Sequence, residues 1–269
     1  MLTDLEVREA FHCTLLRRLV AKVPEGLRLK GGVNLRLFFG SERYSEDMDF
    51  DADQRLNVKM RRVLDEIVNE GGFRRELLNL GIDDVIAPDQ AAKHTATTLR
   101  YKLQVVKGGV PLPTRVEMSF RGKTPAGWAV RRAPDPAVIA PYFPTHSTPF
   151  EVECYPHHVA IWQKINALAT RTAVQARDIF DLDMLLNERH GPIHAELWHF
   201  IRDNHSDALL AEATTRALEI GEDEFASQVV TFLAPHVRAR HESRWEDMRL
   251  RVHDMLTRVQ ETKKTKRSQ

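Results

Sequence analysis

Four carboxylates recur at every second position in Asp47-Met48-Asp49-Phe50-Asp51-Ala52-Asp53. In a β-strand this spacing sends all four to one face and Met48, Phe50 and Ala52 to the other. The apolar face can enter a core. The acidic face repels itself unless cations lie among the carboxylates, and paired carboxylate oxygens are the donors that Mg²⁺ prefers. Asp47 and Asp49 are therefore candidate metal ligands. A solvated edge strand that uses its aspartates against aggregation is the competing reading. A calcium loop fails. Asp47, Asp49 and Asp51 match its first three ligand positions, but Ala52 stands where the loop needs Gly and Val58 where it needs Glu.

The residues just upstream suit an anion. Leu27-Arg28-Leu29-Lys30 alternates as a half-buried strand does, and Gly31-Gly32 predicts a tight turn whose backbone N–H groups are open to a ligand. Residues 33–39 are mostly apolar and predict a short buried helix with its free N–H groups aimed back at that turn. Gly40 and Ser41 end it.

Strand, Gly-Gly turn, short helix and Asp-x-Asp on the next strand, in that order, resemble the nucleotidyltransferase superfamily of the polymerase β type. The fuller string KGGVNLRLFFGSERYSEDMDFD is similar to the first motif of the AbiEii/AbiGii toxins of abortive-infection and type IV-like toxin–antitoxin systems, to which MenT-like toxins are related. A second string, QKINALATRTAVQARDIFDLDMLL, resembles that branch's later signature, a lysine helix followed by Arg-Asp-x-x-Asp-Leu. This chain departs at Val33, where the superfamily usually has Ser or Thr to hold a phosphate. Asn34, Ser41, Ser45 or backbone groups alone would have to make that contact.

The resemblance implies an α+β fold: a polymerase β-like sheet domain over residues 1–155, then a mainly helical domain over residues 156–269 that carries the second motif. It implies two Mg²⁺ ions, with Mn²⁺ as the alternative, held by Asp47, Asp49 and a third carboxylate from a later strand. Glu117 is the best-placed candidate, as metal ligand or as general base. Its bland role is an exposed strand ion pair with Arg100 or Lys102. Lys164 would meet the nucleoside triphosphate, and Asp178 or Asp181 would fix that lysine or the substrate. Gly31, Gly32, Asn34, Arg43, Ser45, Arg171 and Arg177 complete the expected nucleotide contacts. For Arg177 and Asp178 the alternative is a helix cap with a salt bridge.

The activity so implied is nucleotide transfer from an NTP to an RNA acceptor, the 3′ end of tRNA, with loss of pyrophosphate and arrest of growth. The same site could instead modify a protein hydroxyl or a small molecule, and a catalytically idle nucleotide-binding module is the reading from another class. A cognate antitoxin, kinase-like or DNA-binding, is the implied partner. Some toxins of this branch are silenced by phosphorylation of the hydroxyl that matches Ser45, two residues before Asp47. Arg36, Arg43, Lys59, Arg61 and Arg62 offer a cationic surface for RNA.

The remaining elements must position these groups. Residues 5–23 carry Leu5, Phe11, Leu15, Leu16, Leu19 and Val20 at helical spacing, with Thr3 or Asp4 as N-cap and Pro24 beyond the end. Residues 56–68 repeat the pattern and stop at Gly71-Gly72. Leu99, Tyr101, Leu103 and Val105 alternate with Arg100, Lys102 and Gln104, and Gly108-Gly109 predicts a hairpin into a partner strand over 115–120. Gly122-Lys123-Thr124 is no Walker loop, because Glu117 stands at its first glycine. Residues 121–149, rich in Pro, Gly and Thr, predict an extended connection, then a short strand over 150–154 and helices from His157 onward.

Composition is that of an ordinary soluble globular protein: 269 residues, 42% hydrophobic, 29% charged, net charge +1. Two cysteines do not make a disulfide framework or a four-ligand zinc site. His190, His194 and His199 would not share a helix face across Gly191-Pro192, which argues against zinc there. No stretch of 18 apolar residues predicts a membrane span, and three acids among the first nine residues argue against a secretory signal, so the cytoplasm is expected. Lys263, Lys264, Lys266 and Arg267 form a basic tail, read as a solvated end.

Overall fold

The structure, a computed structural model, describes residues 2–87, 93–143, 149–187 and 195–267. Thr3 starts the first helix as expected. Its hydroxyl accepts the Glu6 N–H while the Glu6 carboxylate takes the Thr3 N–H, a reciprocal cap on α1 (Asp4–Lys22). The chain then makes β1 (Leu27–Lys30), α2 (Gly31–Phe39) and β2 (Asp47–Ala52). Two helices, α3 (Asn57–Asn69) and α4 (Gly71–Asn79), lead to β3 (Asp84–Ile86), β4 (Lys93–Thr95), β5 (Thr98–Lys107) and β6 (Val110–Ser119). β7 (Val130–Arg132), α5 (Pro136–Ile139) and β8 (Val152–Cys154) follow.

The described strands form one mixed sheet in the order β3-β5-β6-β2-β1-β8-β7, with β4 paired to β5. β2 runs parallel to β6 and antiparallel to β1, and β8 runs parallel to β1. Alternation sorts the faces. Leu29, Met48, Phe50, Leu99, Tyr101, Val116 and Met118 are buried together, and α1 and α3 pack on β5 behind them. Asp47, Asp49, Arg100, Lys102, Arg115 and Glu117 take the opposite face.

Three expectations needed revision. Gly31 does not form a separate turn with Gly32. It is the first residue of α2, entered from an extended Lys30 at φ −140°, and its own φ of +69° turns strand into helix in one step. Gly71-Gly72 does not end the helical region, since neither glycine takes a positive φ. An extended Glu70 breaks the chain instead, and α4 begins at Gly71. Within the Pro-rich connection, Val130–Arg132 pairs antiparallel with β8; all three residues are exposed, so no alternation announces the strand. The β5–β6 hairpin is as expected, with Gly108 and Gly109 both at positive φ, the two-residue turn that matches strand twist. β6 tolerates Pro111 and Pro113 because its pairing with β2 starts only at Arg115.

The chain divides into two compact units, Met1–Gly40 with Tyr44–Tyr155, and Ser41–Arg43 with Pro156–Gln269. The second is helical: α6 (His157–Thr170), α7 (Ala176–Leu185), α8 (Ala195–Asp203), α9 (Asp207–Arg216), α10 (Glu222–Gln228), α11 (Pro235–Glu242) and α12 (Trp245–Arg267). The backbone of the basic tail is thus helical through Arg267. None of the described helices is long and apolar enough to cross a membrane.

One buried link aligns β6 with the start of β2. Thr114 donates its hydroxyl to the Glu46 carbonyl at 2.7 Å and accepts His12 Nε2–H from α1 at 2.8 Å. His12 is 2% exposed, and burial lowers its pKa to about 3, so the folded ring is neutral. A group depressed in this way contributes stability above its unfolded pKa and loses it as pH falls. Between pH 7 and pH 5 the sheet unit should lose about 2 kcal/mol through this residue. Urea midpoints across that range should fall in the wild type and fall less in His12→Gln.

Candidate active site

The parallel register of β2 and β6 sets Asp47 beside Arg115 and Asp49 beside Glu117, while antiparallel β5 sets Arg100 beside Glu117. On the other side of β2, Lys30 is the register partner of Asp49. All these side chains share one face. Arg115 Nη2 pairs with Asp47, and Arg100 Nε meets Glu117 at 2.7 Å. Arg115 Nε lies 3.7 Å from the same glutamate and makes no hydrogen bond. The Glu117 carboxylate beside it raises the Arg100 pKa further, with Asp47 and Asp49 contributing. Of the two anticipated partners for Glu117, Arg100 is the one engaged. Arg115 was missed as a site residue, although an arginine two positions before Glu117 on a strand necessarily shares its face.

The acidic row is shorter than its spacing suggested. β2 ends at Ala52, and Asp53 lies past the strand, where its N–H bonds to the Gly26 carbonyl and its carboxylate pairs with Arg28. Asp51 is 3% exposed. It accepts Lys30 Nζ at 2.5 Å and the Tyr155 hydroxyl at 3.0 Å, and burial followed by Asp51 pushes the Tyr155 pKa up. These two aspartates are structural, which leaves Asp47 and Asp49 on the open stretch.

Gly31 opens α2 against Asp49. A Cβ at this glycine would lie 2.9 Å from Asp49 Oδ2 and make that carboxylate turn aside, while the positive φ itself favours glycine. Gly32 is buried in the first turn. Asn34 is 1% exposed and donates Nδ2–H to the Tyr155 carbonyl at 3.1 Å, while its Oδ1 has no hydrogen-bond partner. Ser45 donates its hydroxyl to the Asp47 carbonyl at 2.7 Å, and its side chain is half-buried.

The second motif builds a buried charge cluster within the helical unit. Lys164, from α6, lies 2.9 Å from Asp178 and 2.5 Å from Asp181, both of α7 and both fully buried. Arg43 reaches Asp181 at 2.9 Å, and Arg171 Nε is 2.8 Å from Asp178. Burial alone would raise the Asp181 pKa, but Arg43 and Lys164 outweigh it and the net shift is downward. Arg177 is largely buried as well, and burial, then Arg171, lowers its pKa. Both late aspartates contact the lysine. Arg43 belongs to this cluster.

Asp47, Asp49 and Glu117 form an oxygen-only donor set in adjacent register, the chemistry a hard divalent cation takes. In this conformation guanidinium groups occupy Asp47 and Glu117. Among the described residues, no three His, Cys, Asp or Glu side chains converge to hold a metal ion. In chemistry, though not in this arrangement, the donor set suits such a cation. His190 and His194 lie outside the described residues.

The sequence from residue 14 to residue 261 matches the family described as "Nucleotidyl transferase AbiEii toxin, Type IV TA system". A search of curated proteins returns no match. Among solved structures, the chain is similar to a candidate nucleotidyltransferase from H. pylori, with TM-score 0.55 and 17% identity over 98% of each chain. It is also similar to JHP933 from Helicobacter pylori, with TM-score 0.54 and 17% identity over 100% of this chain and 97% of that one. At such identity the likeness shows a shared fold, and the sequence match shows the lineage. This chain belongs to the AbiEii family of nucleotidyltransferase toxins of type IV toxin–antitoxin systems.

Proposed function

We propose that the sheet unit binds a nucleoside triphosphate and transfers its nucleotidyl group to an RNA acceptor, the 3′ end of a tRNA, with release of pyrophosphate. The observation that carries this reading is the register that sets Asp47, Asp49 and Glu117 side by side, with the N-terminus of α2 opening at Asp49. A Mg²⁺ or Mn²⁺ ion held by these carboxylates would neutralise phosphate charge and lower the pKa of the acceptor hydroxyl.

The chain's own groups do the rest. Glu117 takes the proton of the attacking hydroxyl, or completes the ligand set. Gly31 and Gly32 offer backbone N–H groups at a helix N-terminus, an anion site that needs no side chain and so accommodates Val33. Asn34 Oδ1, buried and unpaired, can accept from the nucleotide. In the helical unit, Lys164, Arg43, Arg171 and Arg177 outnumber Asp178 and Asp181, and this surplus of positive charge suits a polyanionic substrate. An antitoxin is the cognate partner. Its control point is Ser45, where a phosphoryl group of about −1.5 to −2 charge beside Asp47 would repel the triphosphate and compete for the cation.

Three outcomes are expected. With total tRNA, Mg²⁺ and each labelled NTP in turn, label should enter tRNA, and Asp49→Asn should reduce transfer at least about 100-fold while the thermal midpoint holds. Label in protein or a small molecule would move the acceptor, and binding without turnover in the wild type would reduce the chain to a nucleotide-binding module. Lys164→Met leaves two buried aspartates short of a cation and should cost about 3 kcal/mol of stability by chemical denaturation. A fully stable variant would contradict its place in the cluster. Ser45→Ala should retain transfer and escape silencing by a kinase-type antitoxin; full silencing of that variant places the control point elsewhere.

A further inference from the structure

Asp47 and Glu117 are each held by an arginine, and one arginine, Arg115, reaches both. A guanidinium and a divalent cation compete for the same carboxylate oxygens, so the resting arrangement opposes metal binding. A triphosphate changes the balance, because its oxygens offer guanidinium groups a more highly charged partner in the same bidentate geometry. Arg115 is free to respond. Its side chain is about one-third exposed (32%), and its Nε makes no hydrogen bond. Lys102, its register partner on β5, is exposed.

We infer that Arg115 couples nucleotide binding to metal binding: it holds Asp47 away from coordination in the free protein and transfers to the phosphates when a nucleoside triphosphate arrives. This rests on the metal-dependent reading above and adds a residue that reading does not use. By linkage, whatever factor the nucleotide gains from the metal, the metal gains from the nucleotide. Such a device keeps the carboxylates from capturing a cation before substrate is present.

The test is Mn²⁺ binding to the full chain, followed by electron paramagnetic resonance, with and without a non-hydrolysable ATP analogue. Wild type should bind Mn²⁺ at least about tenfold more tightly with the analogue, after correction for Mn²⁺ held by free nucleotide. Arg115→Ala should bind Mn²⁺ more tightly than wild type without nucleotide, bind the analogue more weakly, and lose most of the coupling. Arg115→Lys, which keeps the charge but not the fork, should fall between, and it carries the test if the alanine variant does not fold. Unchanged coupling in either variant overturns the inference, as does metal affinity that falls in step with thermal stability. Asp49→Asn separates the two claims. If it leaves Mn²⁺ binding intact, the metal reading itself fails, whatever Arg115 does.

Discussion

The parallel pairing of β2 with β6 is the constraint on which the sheet unit depends. It fixes Asp49 beside Glu117 and leaves Asp47 one step away on the same face. Two unit charges about 4 Å apart interact by about 4 kcal/mol at the effective dielectric near a protein surface. An acidic row of this kind persists only where cations are threaded through it, and the sheet supplies them from three strands: Lys30 of β1, Arg100 of β5 and Arg115 of β6. The opposite face repays the arrangement, because the same register buries Met48, Phe50, Val116 and Met118. Sheet stability and site electrostatics are thus two consequences of one pairing.

Conformational requirements converge on the same spot. Position 31 suits glycine because the chain passes from strand to helix in one left-handed residue, and a Cβ there would also displace the Asp49 carboxylate. On the flank, His12, Thr114 and the Glu46 carbonyl form a chain of hydrogen bonds from α1 across β6 to the approach of β2. Burial of that chain disfavours a charged histidine, so protonating it opposes the folded arrangement.

Much of this was legible in the sequence because period-2 alternation and glycine pairs are local signals. The strands bearing Asp47, Asp49 and Glu117, the hairpin at Gly108-Gly109 and the cap at Thr3 all follow from residues within a few positions of each other. What could not be read depends on pairing between distant segments. Asp51 looks identical to Asp49 in the sequence, yet Lys30 and Tyr155, the latter 104 positions away, turn it into a buried structural group. Arg115 looks like an ordinary strand cation until the β2–β6 register puts Asp47 against it. The three exposed residues of β7 carry no pattern, and β8 alone makes them a strand.

The charge cluster of the helical unit poses a different question, because buried ion pairs are weak stabilisers. Desolvating two carboxylates and their cations costs several kcal/mol per ion, and a well-packed apolar substitute of the same volume is often as stable. Asp178 and Asp181 are nonetheless fully buried, with Lys164 bridging them and Arg43 and Arg171 at either end. Stability alone does not require such an arrangement. Nor is it neutral: three engaged cations and the desolvated Arg177 face two carboxylates, so positive charge is left over in a region of low dielectric. An anion would relieve that surplus, in keeping with the polyanionic substrate proposed above. The two aspartates make so dense a set of cations tolerable within one helical unit.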